Sequence, residues 1–251
     1  MPHRGRTTVL VAASACVAVL ALGVPVAPAA VHVHASGGSL VIDTATGANA
    51  TIVGFDVASD AITIRNDDAG GPAIVIGTPS GGCVFEPAST NTIDCPNAFD
   101  DVQATYGAGD DSFVSGACFS TATVALGEGS NHYGGAGCLS PSHITVSSGA
   151  GQDSFSGDDD PAGDTVEVIN AGGGDDNIQP GAGNDVIHGG DGNDRLYGGT
   201  GDDQVYGDGG DDQPDGGAGN DLVDGGDGND ALEYSQGVRN DTGLGGDTYV
   251  G

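Results

Sequence analysis

Positive charge is almost absent from this 251-residue chain, which has five arginines and no lysine against 36 aspartates and glutamates. The resulting net charge of −31 excludes nucleic acid and anionic membrane surfaces as direct electrostatic partners. Tryptophan is also absent, and aromatic residues make up only 5% of the chain, so a bulky globular core is not expected. A repetitive fold that needs only thin rows of inward side chains suits this composition better.

Sequence signatures of common catalytic centres are missing as well. The chain has no H-E-x-x-H zinc helix and no G-x-S-x-G nucleophile turn. Its six histidines are scattered, and no catalytic triad can be argued from them. The many G-x-G strings do not lie between a strand and a helix, as nucleotide binding would require. These absences favour a protein that is not an enzyme.

The one long apolar run lies at the N-terminus. Residues 9–24 follow the basic residues Arg4 and Arg6, and Ala27-Pro28-Ala29 supplies an A-x-A cleavage site. We therefore expect residues 1–29 to be a secretory signal peptide, with residue 35 as the alternative end. The mature protein is expected to be secreted, and no membrane-inserting segment is found in it.

Glycine, by contrast, is abundant, and between residues 171 and 233 it follows a strict period of nine. Seven consecutive nonapeptides fill this stretch: AGGGDDNIQ, PGAGNDVIH, GGDGNDRLY, GGTGDDQVY, GDGGDDQPD, GGAGNDLVD and GGDGNDALE. Glycine dominates positions one, two and four, aspartate fills position six in every copy, and position eight is aliphatic except at Pro214. A disordered Gly/Asp linker has a similar composition, but the fixed period and the position-eight residues argue against it.

Each nonapeptide is predicted to form one tight turn and one short strand with a single inward side chain. Two nonapeptides then complete one coil of an all-β parallel solenoid, and repeats two apart stack about one strand spacing (~4.8 Å) from each other. Pro214 is expected to weaken its coil, because proline cannot donate to a β-ladder. The inward residues are expected to be Ile178, Ile187, Leu196, Val205, Leu222 and Leu232.

The position-six aspartates are the candidate metal ligands. Stacked carboxylates repel each other unless a divalent ion lies between them. Calcium suits such a site, because it is a hard cation that binds six to eight oxygens from carboxylates and backbone carbonyls. One edge of the solenoid would carry Asp176, Asp194, Asp212 and Asp230, and the other would carry Asp185, Asp203 and Asp221.

These seven repeats resemble the RTX family, whose members carry hemolysin-type calcium-binding repeats. The resemblance implies a right-handed parallel β-roll that binds several Ca²⁺ ions between successive turns, through the position-six aspartates and nearby turn carbonyls. RTX arrays often accompany catalytic domains, but residues 36–100 leave no room for one. The Sec-type leader departs from the C-terminal export signal that is common in Gram-negative members, and the Ala/Gly-rich composition and short N-terminal strand region resemble small secreted calcium-repeat proteins of actinobacteria.

The repeat pattern continues upstream, in a less regular form, over residues 100–170. Its turns place Asp111, Asn131 and Asp153 in the same column as Asp176, at spacings of 20, 22 and 23 residues. Asp111 and Asp153 are further candidate ligands, whereas Asn131 offers only a neutral oxygen. The expected inward residues here are Phe113, Tyr133 and Phe155 on one side and Val124 and Val146 on the other.

The flanking regions are less regular. Residues 36–99 contain short β-branched segments bounded by Gly, Asn, Asp or Pro, and they are predicted to form an N-terminal β-strand region that caps the solenoid. Residues 234–251 are interpreted as a C-terminal cap or tail.

Four cysteines remain after the expected cleavage, and an even number in an exported chain suggests disulfides. Cys118 and Cys138 occupy equivalent positions in adjacent coils, where their Cα atoms would lie within disulfide range. We therefore expect the pairs Cys118–Cys138 and Cys83–Cys95, the second closing a local loop.

From the sequence, we expect a secreted, noncatalytic calcium-binding protein whose repeats fold when they bind Ca²⁺. The main alternative is an extracellular adhesin or surface-interaction module, whose N-terminal strands would contact an unidentified cell-surface partner. A cytolysin or an accessory domain of an enzyme is less expected.

Overall fold

The structure is a computed structural model. It describes residues 31–36, 39–44, 50–56, 61–66, 74–76, 84–85, 92–96, 101–116, 119–135, 143–158, 165–233, 244–245 and 248–250. The expected signal peptide lies outside these ranges, as do Cys83, Cys118, Cys138 and the side chain of Cys95. Both disulfides therefore stay predictions.

All regular secondary structure in the described residues is β-strand. The N-terminal region contains β1 (Val31–Ser36), β2 (Ser39–Thr44), β3 (Ala50–Asp56), β4 (Ala61–Asn66), β5 (Ile74–Ile76), β6 (Val84–Phe85) and β7 (Thr92–Pro96). The irregular coils contain β8 (Asp101–Thr105), β9 (Ser112–Gly116), β10 (Thr121–Ala125), β11 (His132–Gly134), β12 (His143–Ser147) and β13 (Ser154–Asp158). The regular repeats contain β14 (Val166–Gly173), β15 (Asn177–Ala182), β16 (Val186–Asp191), β17 (Arg195–Thr200), β18 (Gln204–Gly209), β19 (Gln213–Ala218), β20 (Leu222–Asp224), β21 (Asp227–Gly228) and β22 (Ala231–Glu233). Two short strands follow, β23 (Leu244–Gly245) and β24 (Thr248–Val250).

These strands form two sheets of twelve described strands each. Sheet A has the order β23-β21-β18-β16-β14-β12-β10-β8-β2-β1-β5, with β20 also paired to β18, and sheet B has the order β24-β22-β19-β17-β15-β13-β11-β9-β3-β4-β7-β6. From β8 to β19 the chain alternates between the sheets, and neighbours within a sheet are parallel. The predicted all-β solenoid is thus confirmed, with about six turns of parallel strands.

The N-terminal strands continue both sheets. β2 pairs in parallel with β8, and β3 pairs in parallel with β9. Beyond these contacts the pairing becomes antiparallel, between β1 and β2 and between β3 and β4. Among the described residues, no helix is long and apolar enough to cross a membrane.

The core is the space between the two sheets, and each repeat contributes its position-eight residue to it. The irregular coils bury aromatic rings, and the rings of Phe113 and Tyr133 are stacked with centroids 6.1 Å apart. The expected inward residues are confirmed with one exception. Leu222 is only half-buried, and Val223 is the inward residue at 1% exposure, because Val223 lies in register with buried Val205.

Pro214 does not interrupt the roll. It is buried within β19, where it lies in register with Leu196 of the preceding coil. Proline has no backbone N–H to give to the next coil, and β19 pairs with β22 only at Asp215 and Glu233. The predicted weakening is therefore confined to the ladder that follows Pro214.

Candidate metal centres

The turns at the edges of the sheets bring the position-six residues into two columns. All nine predicted ligand aspartates are buried, with at most 3% of each residue exposed. The first column contains Asp111, Asn131, Asp153, Asp176, Asp194, Asp212 and Asp230, and the second contains Glu167, Asp185, Asp203 and Asp221. Both edges therefore have the arrangement that the spacing predicts, and the first column continues through the irregular coils.

One carboxylate oxygen of each position-six residue holds adjacent coils together. The backbone nitrogen of Asp194 donates to Oδ1 of Asp212 over 2.8 Å, and that of Asp203 donates to Oδ1 of Asp221 over 3.0 Å. The bond from the nitrogen of Asp153 to Oδ1 of Asp176 is 2.7 Å long. Because Oδ1 is engaged in this way, Oδ2 is the oxygen left for another ligand.

The second carboxylate oxygen is buried against backbone oxygens. In the regular repeats, Oδ2 accepts no hydrogen bond from the described residues in Asp176, Asp194, Asp203, Asp212 and Asp221. A Cβ atom built on Gly198 would lie 2.6 Å from Oδ2 of Asp203 and 2.6 Å from the carbonyl oxygen of Gly216, so the two oxygens converge on one small space. A buried anion that faces a carbonyl oxygen is unfavourable unless a cation compensates it.

Burial also changes how these carboxyl groups titrate. It raises the pKa of Asp176, Asp203 and Asp212 to about 7; the backbone hydrogen bonds oppose this rise, and neighbouring carboxylates add to it. The pKa of Asp194 and the pKa of Asp221 are raised by burial too. Near neutral pH, Asp176, Asp203 and Asp212 are therefore only partly ionised, and a bound cation would favour their ionised form.

The residues at position five, each next to one of these aspartates, also stack from coil to coil, but they do not place two carboxylates together. Their columns alternate charged and neutral side chains: Asp175, Asn193, Asp211 and Asn229 on one edge, and Asn184, Asp202 and Asn220 on the other. Asn220 donates to Oδ1 of Asp202 from its backbone nitrogen (2.9 Å) and from Nδ2 (3.2 Å). These bonds lower the pKa of Asp202. Position six therefore stacks acid on acid where position five does not, and of these two positions only position six calls for a cation.

The hydrogen bonds of Asn131 show which atoms surround the place that Oδ2 occupies in the position-six aspartates. Its Oδ1 accepts a hydrogen bond from the nitrogen of Asp111 (2.9 Å), as the aspartates accept theirs. Its Nδ2 donates to the carbonyl oxygens of Gly127 (3.1 Å) and Gly129 (3.0 Å) and to Oγ of Ser148 (2.8 Å). The amide thus places a donor where aspartate places Oδ2, and three oxygens point at that donor.

The arrangement fits a hard cation with oxygen ligands. Ca²⁺ accepts carboxylate and backbone carbonyl oxygens together, and both kinds converge beside Gly198. Among the described residues, no three His, Cys, Asp or Glu side chains come together as a metal cluster. Turn carbonyls would therefore have to supply much of the coordination shell.

Comparison with known families agrees with this geometry. Residues 162–194, 180–214 and 215–238 match the RTX calcium-binding nonapeptide repeat, in four copies. Residues 162–238 are RTX repeats. Since RTX repeats bind several Ca²⁺ ions, the chain is a calcium-binding repeat protein with a β-solenoid fold. No curated protein and no solved structure gives a significant match to the chain.

Glu167 is a residue of the RTX stretch that the sequence analysis missed. It is 1% exposed, and its backbone nitrogen donates to Oδ1 of Asp185 over 2.8 Å. It therefore begins the second column, 18 residues before Asp185. Extending the nine-residue frame one unit upstream, over residues 162–170 (AGDTVEVIN), would have placed Glu167 at position six and Ile169 at position eight.

Proposed function

We propose that this is a secreted, noncatalytic protein whose RTX repeats fold into a β-roll when they bind Ca²⁺. The observation that carries the proposal is the column of buried Oδ2 atoms that face turn carbonyls without a hydrogen-bond donor. The ions would lie between Asp176 and Asp194, Asp194 and Asp212, Asp212 and Asp230, Asp185 and Asp203, and Asp203 and Asp221.

Calcium binding would supply folding free energy to the repeats. In the unfolded chain the position-six carboxylates are hydrated, whereas in the roll they are buried next to each other, so the ion-free roll is penalised. An ion that binds only the folded repeats stabilises them by mass action. Extracellular calcium modules bind at roughly 10⁻⁴ to 10⁻³ M, so the repeats would stay unfolded inside a cell and fold outside it.

The irregular coils are proposed to depend less on calcium. Asn131 satisfies its surrounding oxygens with an amide, and these coils bury the rings of Phe113, Tyr133 and Phe155. Asp111 and Asp153 each stack against Asn131 on one side, so they meet a neutral neighbour there. They are accordingly the weakest candidate ligands.

Secretion and the lack of catalysis are supported by the sequence. The basic and apolar N-terminus with its A-x-A site has the form of a secretory leader. No zinc-protease or serine-nucleophile motif is present.

A calcium titration of the mature protein, followed by far-UV circular dichroism, tests the proposal. Calcium should produce a cooperative gain of β signal, and magnesium at the same concentration should not, because Mg²⁺ demands a near-ideal octahedral shell and sheds its water reluctantly. A β signal that is already complete in calcium-free buffer would overturn the coupling of folding to binding.

A further inference from the structure

The outward face of sheet B carries a shallow polar groove over three adjacent repeats. Its volume is about 230 Å³. The side chains that line it project from β15, β17 and β19, and we call it the outer groove. It is lined by Asn177, Gln179, Arg195, Tyr197, Gln213 and Asp215, together with the strand floor at Ile178 and Leu196.

Strand β17 supplies the centre of the outer groove. Arg195 and Tyr197 are two residues apart on this strand, so both point outward from the same face. Arg195 is in register with Asn177 on one side and Gln213 on the other. Tyr197 is in register with Asp215. A ring, a guanidinium, amides and a carboxylate thus form one patch only a few strand spacings wide.

Tyr197 is the one large hydrophobic side chain that is exposed among the described residues, at 40%. Tyr206 on sheet A, in contrast, has its ring stacked against His188 with centroids 4.6 Å apart. An exposed tyrosine ring beside hydrogen-bonding groups provides a flat apolar surface with a polar border. Such a surface can stack against the C–H face of a sugar ring.

The charges in the outer groove nearly cancel, although the whole chain has a net charge of −31. Arg195 makes no ion pair with any described residue, and Asp215 lies in the same groove. Arginine only donates hydrogen bonds, an ionised carboxylate only accepts them, and amide side chains do both. Adjacent hydroxyl groups, each of which donates and accepts, match this set, whereas an acidic ligand would meet Asp215 and the negative field of the chain.

We propose that the outer groove binds a neutral oligosaccharide. Tyr197 stacks on a sugar ring, and Arg195 and Asp215 hydrogen-bond its hydroxyl groups. The groove uses positions seven and nine of the repeats, so its side chains are distinct from the position-six ligands. It exists only when the repeats are folded, and binding is therefore to be measured at saturating calcium.

Isothermal titration calorimetry of the calcium-loaded mature protein tests this inference. The probes are cellohexaose, chitohexaose and mannohexaose as neutral sugars and hexagalacturonate as an acidic one. At least one neutral hexasaccharide should bind. Tyr197→Ala should weaken its binding at least tenfold, and Arg195→Gln should weaken it less.

Tyr206→Ala is the matched control, because it removes a tyrosine from the opposite sheet and should leave the affinity unchanged. Far-UV circular dichroism of each variant at saturating calcium verifies that the roll is folded, which separates this test from that of calcium-driven folding. The inference is overturned if no neutral sugar binds, if only hexagalacturonate binds, or if folded Tyr197→Ala binds as the unmodified protein does.

Discussion

Asp203 and Asp221 stack one coil apart, with the backbone nitrogen of Asp203 3.0 Å from Oδ1 of Asp221. Their chain neighbours Asp202 and Asn220 stack in the same turns, but there an amide faces a carboxylate, and Nδ2 lies 3.2 Å from Oδ1. Like charges therefore meet at position six and are avoided at position five. The exposed position five and the buried position six thus differ in their need for a cation.

Replacing Asn131 by aspartate should make the irregular coils dependent on calcium. The change puts an oxygen in place of the Nδ2 donor that now contacts Gly127, Gly129 and Ser148. In calcium-free buffer we expect the local free energy of unfolding to fall by about 1–3 kcal/mol, the cost of a buried unsatisfied polar group. Saturating calcium should restore it. Hydrogen exchange of peptides covering residues 101–135 measures this local stability.

The control for that variant is Gln152→Glu, which adds the same charge at an exposed turn position in the next coil. It should leave exchange in residues 101–135 nearly unchanged. Equal protection of Asn131→Asp and the unmodified protein without calcium would show that the Asn131 amide does not replace a cation.

Acid should partly replace calcium in stabilising the repeats. Burial raises the pKa of Asp176, Asp203 and Asp212 to about 7, whereas the same groups titrate near 3.9 in an unfolded chain. The folded state thus holds more protons between these values. The stability that protonation of these three groups contributes without calcium is fully present below about pH 4, and it is lost as the pH rises through about 7.

The measurement for this pH effect is far-UV circular dichroism in calcium-free buffer at about pH 5 and pH 8. The β signal of the repeats should be larger at the lower pH. With calcium the order should reverse, because the ion binds the deprotonated carboxylates. Asp202 and Asp211 do not obscure the result, since their pKa values are lowered and they titrate below this range. A β signal that rises with pH in the absence of calcium would contradict the assignment.

The side-chain orientation in β20 gives a matched pair of variants. Val223 is 1% exposed, whereas Leu222 is half-buried on the outward side. Val223→Asn should lower the free energy of unfolding of the calcium-loaded protein by about 1–3 kcal/mol, because it buries an amide without partners. Leu222→Asn should cost less. Urea denaturation at saturating calcium compares the two, and a larger loss for Leu222→Asn would mean that the strand is rotated.

Much of the roll was predictable because its repeats have a fixed length. The period of nine determines which aspartates stack, and it placed Asp176 and Asp185 on opposite edges correctly. The error at Leu222 arose where two adjacent aliphatic residues compete for one inward position. Counting from Asp221 resolves it, since position eight is always two residues after position six.

Other features were not predicted from the sequence. Glu167 was missed because its unit has lost most of its glycines, although the spacing to Asp185 is regular. The sequence indicated that Asn131 is a poor ligand, but not that its Nδ2 meets three oxygens. The outer groove follows from side chains on three different strands, whose outward neighbours become clear only from the strand register.

The most direct test of calcium binding at position six is the number of ions bound by two variants that differ by one residue. Asp203→Asn and Asp202→Asn make the same chemical change at positions six and five. Equilibrium dialysis with calcium should show that Asp203→Asn loses the ions on both sides of residue 203, while Asp202→Asn keeps the full number. Equal losses in the two variants, or no loss in Asp203→Asn, would contradict the account.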